Sequence, residues 1–499
     1  MAVVAVPTLV LAGVAGAGGQ PTAWGDQAVI QLSTDRAASF HQLVGPYSRF
    51  GWSHPGPLWF YLLAGPYRAL GGGSRALVVS GVVVCGAFAV LLVVLAGRAG
   101  GSGAGRWAAA LAAVELVALG PGALARVWNP VAVVVPTAAL LVAAAAVAAG
   151  RWWALPWVVG LGTFLVQTDV STGLAVVAVG AGAVALAAVS PDRPAWPTAW
   201  RPGAVSAGVA AVLWLPPVVQ EVTGRTGNLT AVARFFTAGH PGHRLGPSVD
   251  AVAGALWPPL RGGGRLSGSV AGLLVGTALA AGAIVAVAGV AEARRRRDEG
   301  RAGPFFAGAL GALAALLVAA GIVSATRAVG PLFPYLTLWL SAAELAIGLG
   351  AAGLLGRAGR GLATGASLAA AVALGVTASV ARPVPPVGGQ QVASLWRAVA
   401  PTLPRGSLVR VEVASADRWP WAAGLVVELT HGGYRAVVDR PWLFLFGAQF
   451  DPAGARPAAT LAVWRPGDTG HRPPGRLAAT VGPTAVLVET GAGGPVMGP

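Results

Sequence analysis

Lysine is missing altogether: the 34 basic residues of this 499-residue chain are all arginine. Charge of either sign is scarce, at 10% of residues, against about 25% in a soluble globular chain. There is one cysteine, and Cys85 lies inside an apolar run, which excludes a disulfide framework and a cysteine metal site. No lysine follows the glycine triplets Gly71–Gly73 and Gly262–Gly264, so neither is a nucleotide phosphate loop, and no dinucleotide fingerprint appears. With so few charges there is not enough polar surface to clothe a soluble fold. What is present is apolar: 55% of residues are hydrophobic and mean hydropathy is +0.68. A large soluble all-α protein is ruled out because several runs reach the ~20 residues that cross a bilayer. Lipid is the solvent for most of the chain.

The net charge of +16 does not point to nucleic acid. The arginines stand singly between apolar segments, and the one dense run, Arg294 to Arg297, sits in a short loop, as membrane topology requires. Spans are read at about 3–19, 76–97, 107–125, 130–149, 153–170, 172–189, 203–220, 267–290, 304–323, 332–349 and 361–380. The expected fold is therefore an all-α polytopic membrane bundle of about 11 transmembrane helices. The first run is short and lacks a basic flank, so a signal peptide is its alternative reading. The arginine-rich loop Ala291–Arg301 is the natural cytoplasmic one. Counting outward from it puts Arg98, Arg106, Arg151, Arg193, Arg201, Arg357 and Arg360 on the same side. The expected location is the plasma membrane, multi-pass, with a cytoplasmic N-terminus and an extracytoplasmic C-terminal domain.

Two outward loops are long, Gln20–Arg75 and Glu221–Arg265. Their Pro and Gly content, with Trp24, Trp52, Trp59 and Trp257, suggests short helices lying in the membrane interface. Long polar loops on one face of a bundle are where binding and chemistry concentrate. From about Arg382 the composition changes, which divides the chain into a membrane domain (1–381) and a small α/β soluble domain (382–499). There, Gln391–Val399 and Trp421–Leu429 read as helices. Strand-like runs lie at Leu408–Val413, Tyr434–Val438, Trp442–Phe446, Leu461–Trp464 and Ala485–Glu489. No internal repeat is visible.

The first outer loop begins Trp24-Gly25-Asp26-Gln27. It continues Gly45-Pro46-Tyr47-Ser48-Arg49-Phe50-Gly51-Trp52-Ser53-His54-Pro55-Gly56-Pro57-Leu58-Trp59. An acid just past the first span, followed about 30 residues later by His-Pro and an aromatic-aliphatic helix start, resembles the GT-C superfamily of membrane glycosyltransferases. The likeness is to the protein O-mannosyltransferase and lipid A aminoarabinose transferase branch. That branch carries a loop-one acid and a His/Lys-Pro-Pro-Leu motif, which His54-Pro55-Gly56-Pro57-Leu58 matches with an inserted glycine. Arg126-Val127-Trp128-Asn129-Pro130, Gln167-Thr168-Asp169, Gly227-Asn228-Leu229 and Thr326-Arg327-Ala328-Val329-Gly330-Pro331 fit more loosely. Gln27 stands where the branch has a second acid. The resemblance implies a GT-C-like fold and an inverting transfer of sugar from a polyprenyl-phosphate-linked donor. The acceptor would be a glycan, lipid or protein of the cell envelope.

The chemistry of such a transfer needs a base for the acceptor hydroxyl and a counter-charge for the departing phosphate. Asp26, at the membrane–water boundary, is the expected catalytic base, since partial desolvation raises carboxylate basicity; a solvated acid or a helix cap is the alternative. Bidentate guanidinium pairing suits the phosphate. The outward candidates are Arg49, Arg126, Arg234, Arg244 and Arg327, with Arg49 and Arg327 favoured; the others suit lipid headgroups. His54 binds phosphate or acceptor, or fixes its loop by a hydrogen bond. Asp169 contacts sugar hydroxyls or pairs with an arginine. Asp35, after Ser33 and Thr34, is a cap or a substrate contact, while Glu221 and Asn228 are placed to touch substrate. Glu115 and Glu344 lie nearer mid-membrane, as structural acids or a proton path. No metal constellation is compelling, the six histidines being dispersed. A divalent ion between Asp26 and Asp169 stays open because some members of the superfamily use one. The rival function is a polytopic transporter or lipid flippase, which predicts inverted repeats and mid-membrane acids.

Overall fold

The computed structural model describes residues 12–13, 22–190, 196–224, 226–256, 268–295, 303–355, 387–468 and 472–490, with four more between 362 and 369. The expected spans at 3–19 and 361–380, Trp257 and most of the 291–301 loop fall almost wholly outside them. The first outer loop forms two helices, α1 (Asp26–Ala38) and α2 (Leu58–Ala69). The membrane helices follow. α3 (Gly73–Ala125) is broken at Gly101, whose φ of 82° and ψ of 178° interrupt the helix between two of the expected spans. Only a residue without Cβ takes that backbone cheaply. The returning half packs so closely that a Cβ on Gly105 would lie 3.2 Å from the Gly97 Cα.

Next come α4 (Asn129–Ala132), α5 (Val134–Ala148), α6 (Leu155–Thr168), α7 (Gly173–Ala188) and α8 (Trp200–Thr223). α9 (Asn228–Thr237) and α10 (Leu245–Leu256) make the second outer loop. α11 (Gly268–Arg295), α12 (Gly303–Thr326), a 3-10 segment at Pro334–Ser341 and α13 (Ala342–Leu354) complete the bundle. Nine of the expected spans thus coincide with described helices. Among the described residues seven helices are long and apolar enough to cross a membrane, the broken α3 counting as one. α6, with 14 residues, is too short to be counted among them. The protein is a helical membrane protein.

α5 is the hub, with every side chain buried. Its alanines let neighbours approach closely, which is how helices gain packing when lipid offers no hydrophobic drive. The hairpin of α11 and α12 uses glycines likewise: a Cβ on Gly289 would lie 2.4 Å from the Gly308 Cα. α8, by contrast, buries only Ser206 and Pro217. Arg98 stacks on Trp153 at 4.2 Å and Arg151 on Phe306 at 5.5 Å, so the turns carrying these arginines gather at one end of the bundle. Both long loops and the C-terminal unit lie at the other.

That unit begins with α14 (Val387–Val399). It continues β1 (Leu408–Val413), α15 (Trp419–His431), β2 (Arg435–Val438), α16 (Leu443–Phe446), β3 (Ala459–Trp464), β4 (Arg476–Val481) and β5 (Thr484–Thr490). The sheet order is β2-β1-β3-β5-β4. β1 pairs parallel with β2 and β3, and β5 antiparallel with β3 and β4. One expected strand is corrected: Trp442–Phe446 is a short helical turn after Pro441. A continuous apolar run carries no alternation, and proline sets the helical φ that opens the turn. β4 has no counterpart among the expected strands: it is an edge strand with no buried residue, so it lacks the alternation a half-buried strand shows.

The interface reading of the outer loops also needs correcting. α9 fits it, with no buried residue. α10 buries Val252, Ala253, Ala255 and Leu256 against the bundle. α1 places Ala28, Val29 and Leu32 in the C-terminal hydrophobic core, separate from that of the bundle. Burial of Val or Leu out of water is worth roughly 1.5–3 kcal/mol each, enough to draw α1 onto this unit.

Candidate active site

A tight hairpin opens the site. Tyr47 and Ser53 form an antiparallel bridge, closed by Ser48 N–H to Trp52 O at 2.8 Å and His54 N–H to Pro46 O at 2.8 Å. Gly51, at φ 84°, makes the turn. At its base Gly45 is obligatory, because a Cβ there would stand 2.6 Å from the backbone oxygens of both Gln167 and Gly56. The glycine inserted in the His-Pro motif has a structural reason too. Gly56 sits against the Gln167 side chain, 2.1 Å from where its Cβ would be, and its N–H points to Gln167 O at 3.4 Å. The hairpin is thereby pinned to the end of α6.

Tyr47, Arg49, Trp52 and His54 of this hairpin line a cavity of about 510 Å³ that Asp26, Asp169 and Arg327 also line. Five sequence candidates are therefore gathered: Asp26, Arg49, His54, Asp169 and Arg327. Between them the walls are apolar and aromatic, from Ile30, Phe60, Leu174, Phe235 and Phe236 among others.

Asp26 is the first residue of α1, after Gly25 at φ 58°. The helix N-terminus favours the carboxylate, and Tyr47 donates its hydroxyl to Oδ1. Burial outweighs that hydrogen bond and holds the carboxyl above its ordinary value, the sense expected for a base short of water. Burial and the neighbouring carboxylate push the Tyr47 phenol up in turn, so it stays a donor.

The two arginines are held differently. Arg49 gives Nη2–H to Val329 O at 2.7 Å and is sandwiched by the Phe50 and Phe333 rings at 4.9 and 5.1 Å. Its plane is fixed, with part of its fork still free. Arg327 makes no side-chain hydrogen bond or ion pair among the described residues, and so offers its whole fork to an anion. His54 Nδ1 accepts from Val170 N–H at 2.9 Å. Burial lowers its pKa, leaving a neutral ring with the proton on Nε2. It is thus both a loop fastener and a donor without charge. Asp169 is 4% exposed and takes Ser171 N–H on Oδ1 at 3.0 Å, which leaves Oδ2 for a partner.

Two candidates lie elsewhere. Asp35 accepts from Tyr67 Oη at 2.7 Å and pairs with His431 Nε2 at 2.9 Å, away from the cavity. Asn228 clasps Ser53 backbone N–H and C=O, both at 2.9 Å, and so ties α9 to the hairpin. Glu221 accepts Leu229 and Thr230 N–H groups and caps α9. Arg126, Arg234 and Arg244 are exposed outside the cavity. Glu115 takes a hydrogen bond from Ser341 at 2.8 Å within the bundle. His243 bonds Gly330 O at 2.7 Å, and His240 stacks on Phe235 at 4.5 Å. Among the described residues no three His, Cys, Asp or Glu side chains gather as metal ligands, so an ion on Asp26 and Asp169 would have no third ligand of those types.

Sequence reasoning missed Tyr335, Ser171 and Ser324, which also line the cavity. Tyr335 stacks on Phe333 at 5.4 Å and meets Trp128 edge-on at 4.8 Å. It stands at the start of an expected span, where hydropathy hides a single phenol. Val127, buried with φ 57°, is a clearer signal after the fact. A β-branched residue there costs about 1–2 kcal/mol, and its carbonyl takes Trp59 Nε1–H at 3.2 Å, which sets Trp128 against the cavity.

No family model matches the chain, and no curated protein matches it. Among solved structures it is similar to ArnT from Cupriavidus metallidurans bound to undecaprenyl phosphate, at 15% identity and a TM-score of 0.49, over 99% of this chain and 98% of that one. The apo state of the same ArnT gives 15% identity and a TM-score of 0.47 over 97% of each chain.

Proposed function

We propose that the chain is an inverting membrane glycosyltransferase that takes a sugar from a polyprenyl-phosphate donor. The sugar goes to a hydroxyl of an envelope glycan, lipid or protein on the extracytoplasmic face. The observation that carries this is the pairing, in one apolar-walled cavity of about 510 Å³, of the desolvated Asp26 carboxyl with the uncommitted Arg327 guanidinium. Apolar walls suit a prenyl chain, and a free fork suits its phosphate.

The reaction balances on these groups. The acceptor oxygen attacks the anomeric carbon while its proton passes to Asp26. The bond from that carbon to the phosphate oxygen breaks, and the electron pair leaves with the polyprenyl phosphate. Arg327 and the free part of Arg49 stabilise the charge as it grows on the phosphate. Asp169 Oδ2 and His54 Nε2–H are disposed to hold sugar hydroxyls. The membrane domain, 1–381, carries the site, and the C-terminal domain, 382–499, guides the acceptor. Asp35 and Asn228 act at a distance, by holding α1 and the hairpin.

Membranes containing the chain, supplied with a panel of radiolabelled polyprenyl-phosphate sugars, test the reading. Label should leave one of the lipid donors for a polar or polymeric product. If every donor is returned intact while the chain is folded and present, the reading fails.

A further inference from the structure

The helix that bears Asp26 is fastened along its length to the C-terminal unit. At its start Gly25 N–H donates to Pro420 O at 3.1 Å, and Trp24 meets Trp421 edge-on at 5.6 Å. The contact is tight enough to demand glycine opposite: a Cβ on Gly424 would lie 2.7 Å from Ala23 O, and one on Gly388 2.3 Å from the Trp24 ring. Midway, Ala28, Val29 and Leu32 enter the C-terminal core. Near its end Asp35 pairs with His431 at 2.9 Å. Pro420 and His431 stand at opposite ends of α15, so α1 and α15 run side by side, joined at both ends. Tyr47, the donor to Asp26, is wedged by Trp419 at 6.1 Å and Phe444 at 6.4 Å, both from the C-terminal unit.

We propose that the C-terminal unit is a working part of the site, and that His431 and Trp419 are positioning residues for Asp26. His431 acts through α1, and Trp419 acts through the Tyr47 ring. The membrane bundle contributes the arginines and the apolar walls, whereas the base is carried on a helix that straddles both cores, Ala28, Val29 and Leu32 entering the C-terminal one and Ile30 and Ala37 that of the bundle. A displacement of α15 therefore moves Asp26 relative to Arg327. Misplacement of a reacting group by about 1 Å costs on the order of a hundredfold in rate, so the coupling is strong enough to govern turnover. This inference rests on the glycosyl-transfer reading for its kinetic consequence but not for its structural one.

The test uses the purified full chain with His431→Leu, His431→Gln and Gly424→Val, the last as a wedge at the other end of α1. Hydrogen exchange over residues 26–38 should quicken about tenfold in His431→Leu and Gly424→Val, with α5 and α12 unchanged. His431→Gln, which keeps a donor toward Asp35, should restore most of the protection. In transfer assays kcat should fall about tenfold or more in the two disruptive variants, with KM for the lipid donor within about twofold. The acid limb of the pH profile should move down, because a loosened Asp26 regains water. Unchanged exchange overturns the positioning role whether or not transfer is seen. Quickened exchange with kcat and KM untouched overturns it as well. A wild-type chain without transfer, whose variants still exchange faster, overturns the glycosyl-transfer reading and leaves the fastening of α1 standing.

Discussion

Asp26 is under two opposed influences, and their balance fixes its pH behaviour. Burial raises the carboxyl, and the Tyr47 hydroxyl lowers it by a smaller amount. The basic form is the ionised one, so activity is full above the raised value and is lost as pH falls through it. The acid limb of kcat/KM should therefore lie above the ordinary aspartate value of about 3.9, and in Tyr47→Phe it should move higher still. An acid limb at or below that value would mean that Asp26 is solvated. Arg327 is the residue whose loss should hurt phosphate departure most. Arg327→Gln should cost about 10²–10³ in kcat, the range for removing one preorganised donor to a developing anion. Arg327→Lys should recover only part, since an ammonium lacks the planar fork. Steady-state kinetics with a saturating lipid donor reads both. Asp26, Arg49, His54, Asp169 and Arg327 were legible because charged and strongly polar groups are costly at a bilayer boundary and stand out there. Asp35 and Asn228 stood out equally, yet their partners are His431 and the Ser53 backbone. Polarity at a site marks that a group is used, not what uses it.

Among elements, the tight contacts are made by glycine, and they give predictions of their own. Gly45→Ala should destabilise the hairpin by about 1–3 kcal/mol, because its neighbours are backbone oxygens that cannot swing aside. His54 should then lose its hold on Val170, visible as a lower Tm with a weaker donor affinity. Gly289→Val should do comparable harm to the α11–α12 pair, and a purified variant that melted like the parent would contradict the close approach to Gly308. The tie between α1 and α15 is protonation-dependent. The hydrogen bond to Asp35 raises His431, while burial lowers it by less; Glu428 on its own helix also raises it, and Tyr67 faces the same carboxylate. With the folded value above that of an ordinary imidazole, the ion pair is complete below about 6.5 and is lost as pH rises through the raised value. Exchange at residues 26–38 should quicken over that interval in the parent chain and hold steady in His431→Gln. Helices of the bundle were legible from apolar run length alone, and β1, β3 and β5 from short β-branched stretches. The α1–α15 pairing was not, since it joins Asp35 to a residue 396 positions away, and no local pattern encodes so distant a partner.

At the scale of the whole molecule, two hydrophobic cores meet at one cavity. The bundle's core sets the arginines and the aromatic walls, and the helix of the base is held between the two cores. Arginine counting gave the sidedness its logic: the turns with Arg98 and Arg151 lie at the end opposite Asp26 and Arg327, and that end is proposed to be cytoplasmic. A cysteine placed at Ser39 should then be labelled from outside intact cells by an impermeant maleimide, and one placed at Gly101 should not. The central claim is that Asp26 takes the acceptor proton as a sugar leaves a polyprenyl phosphate. The most direct measurement is the release of polyprenyl phosphate from its labelled sugar donor by the reconstituted parent chain and by Asp26→Asn. The variant should bind donor as the parent does yet turn over at least a hundredfold more slowly, the lower end of what a positioned base supplies. Turnover within a few-fold of the parent would contradict the claim.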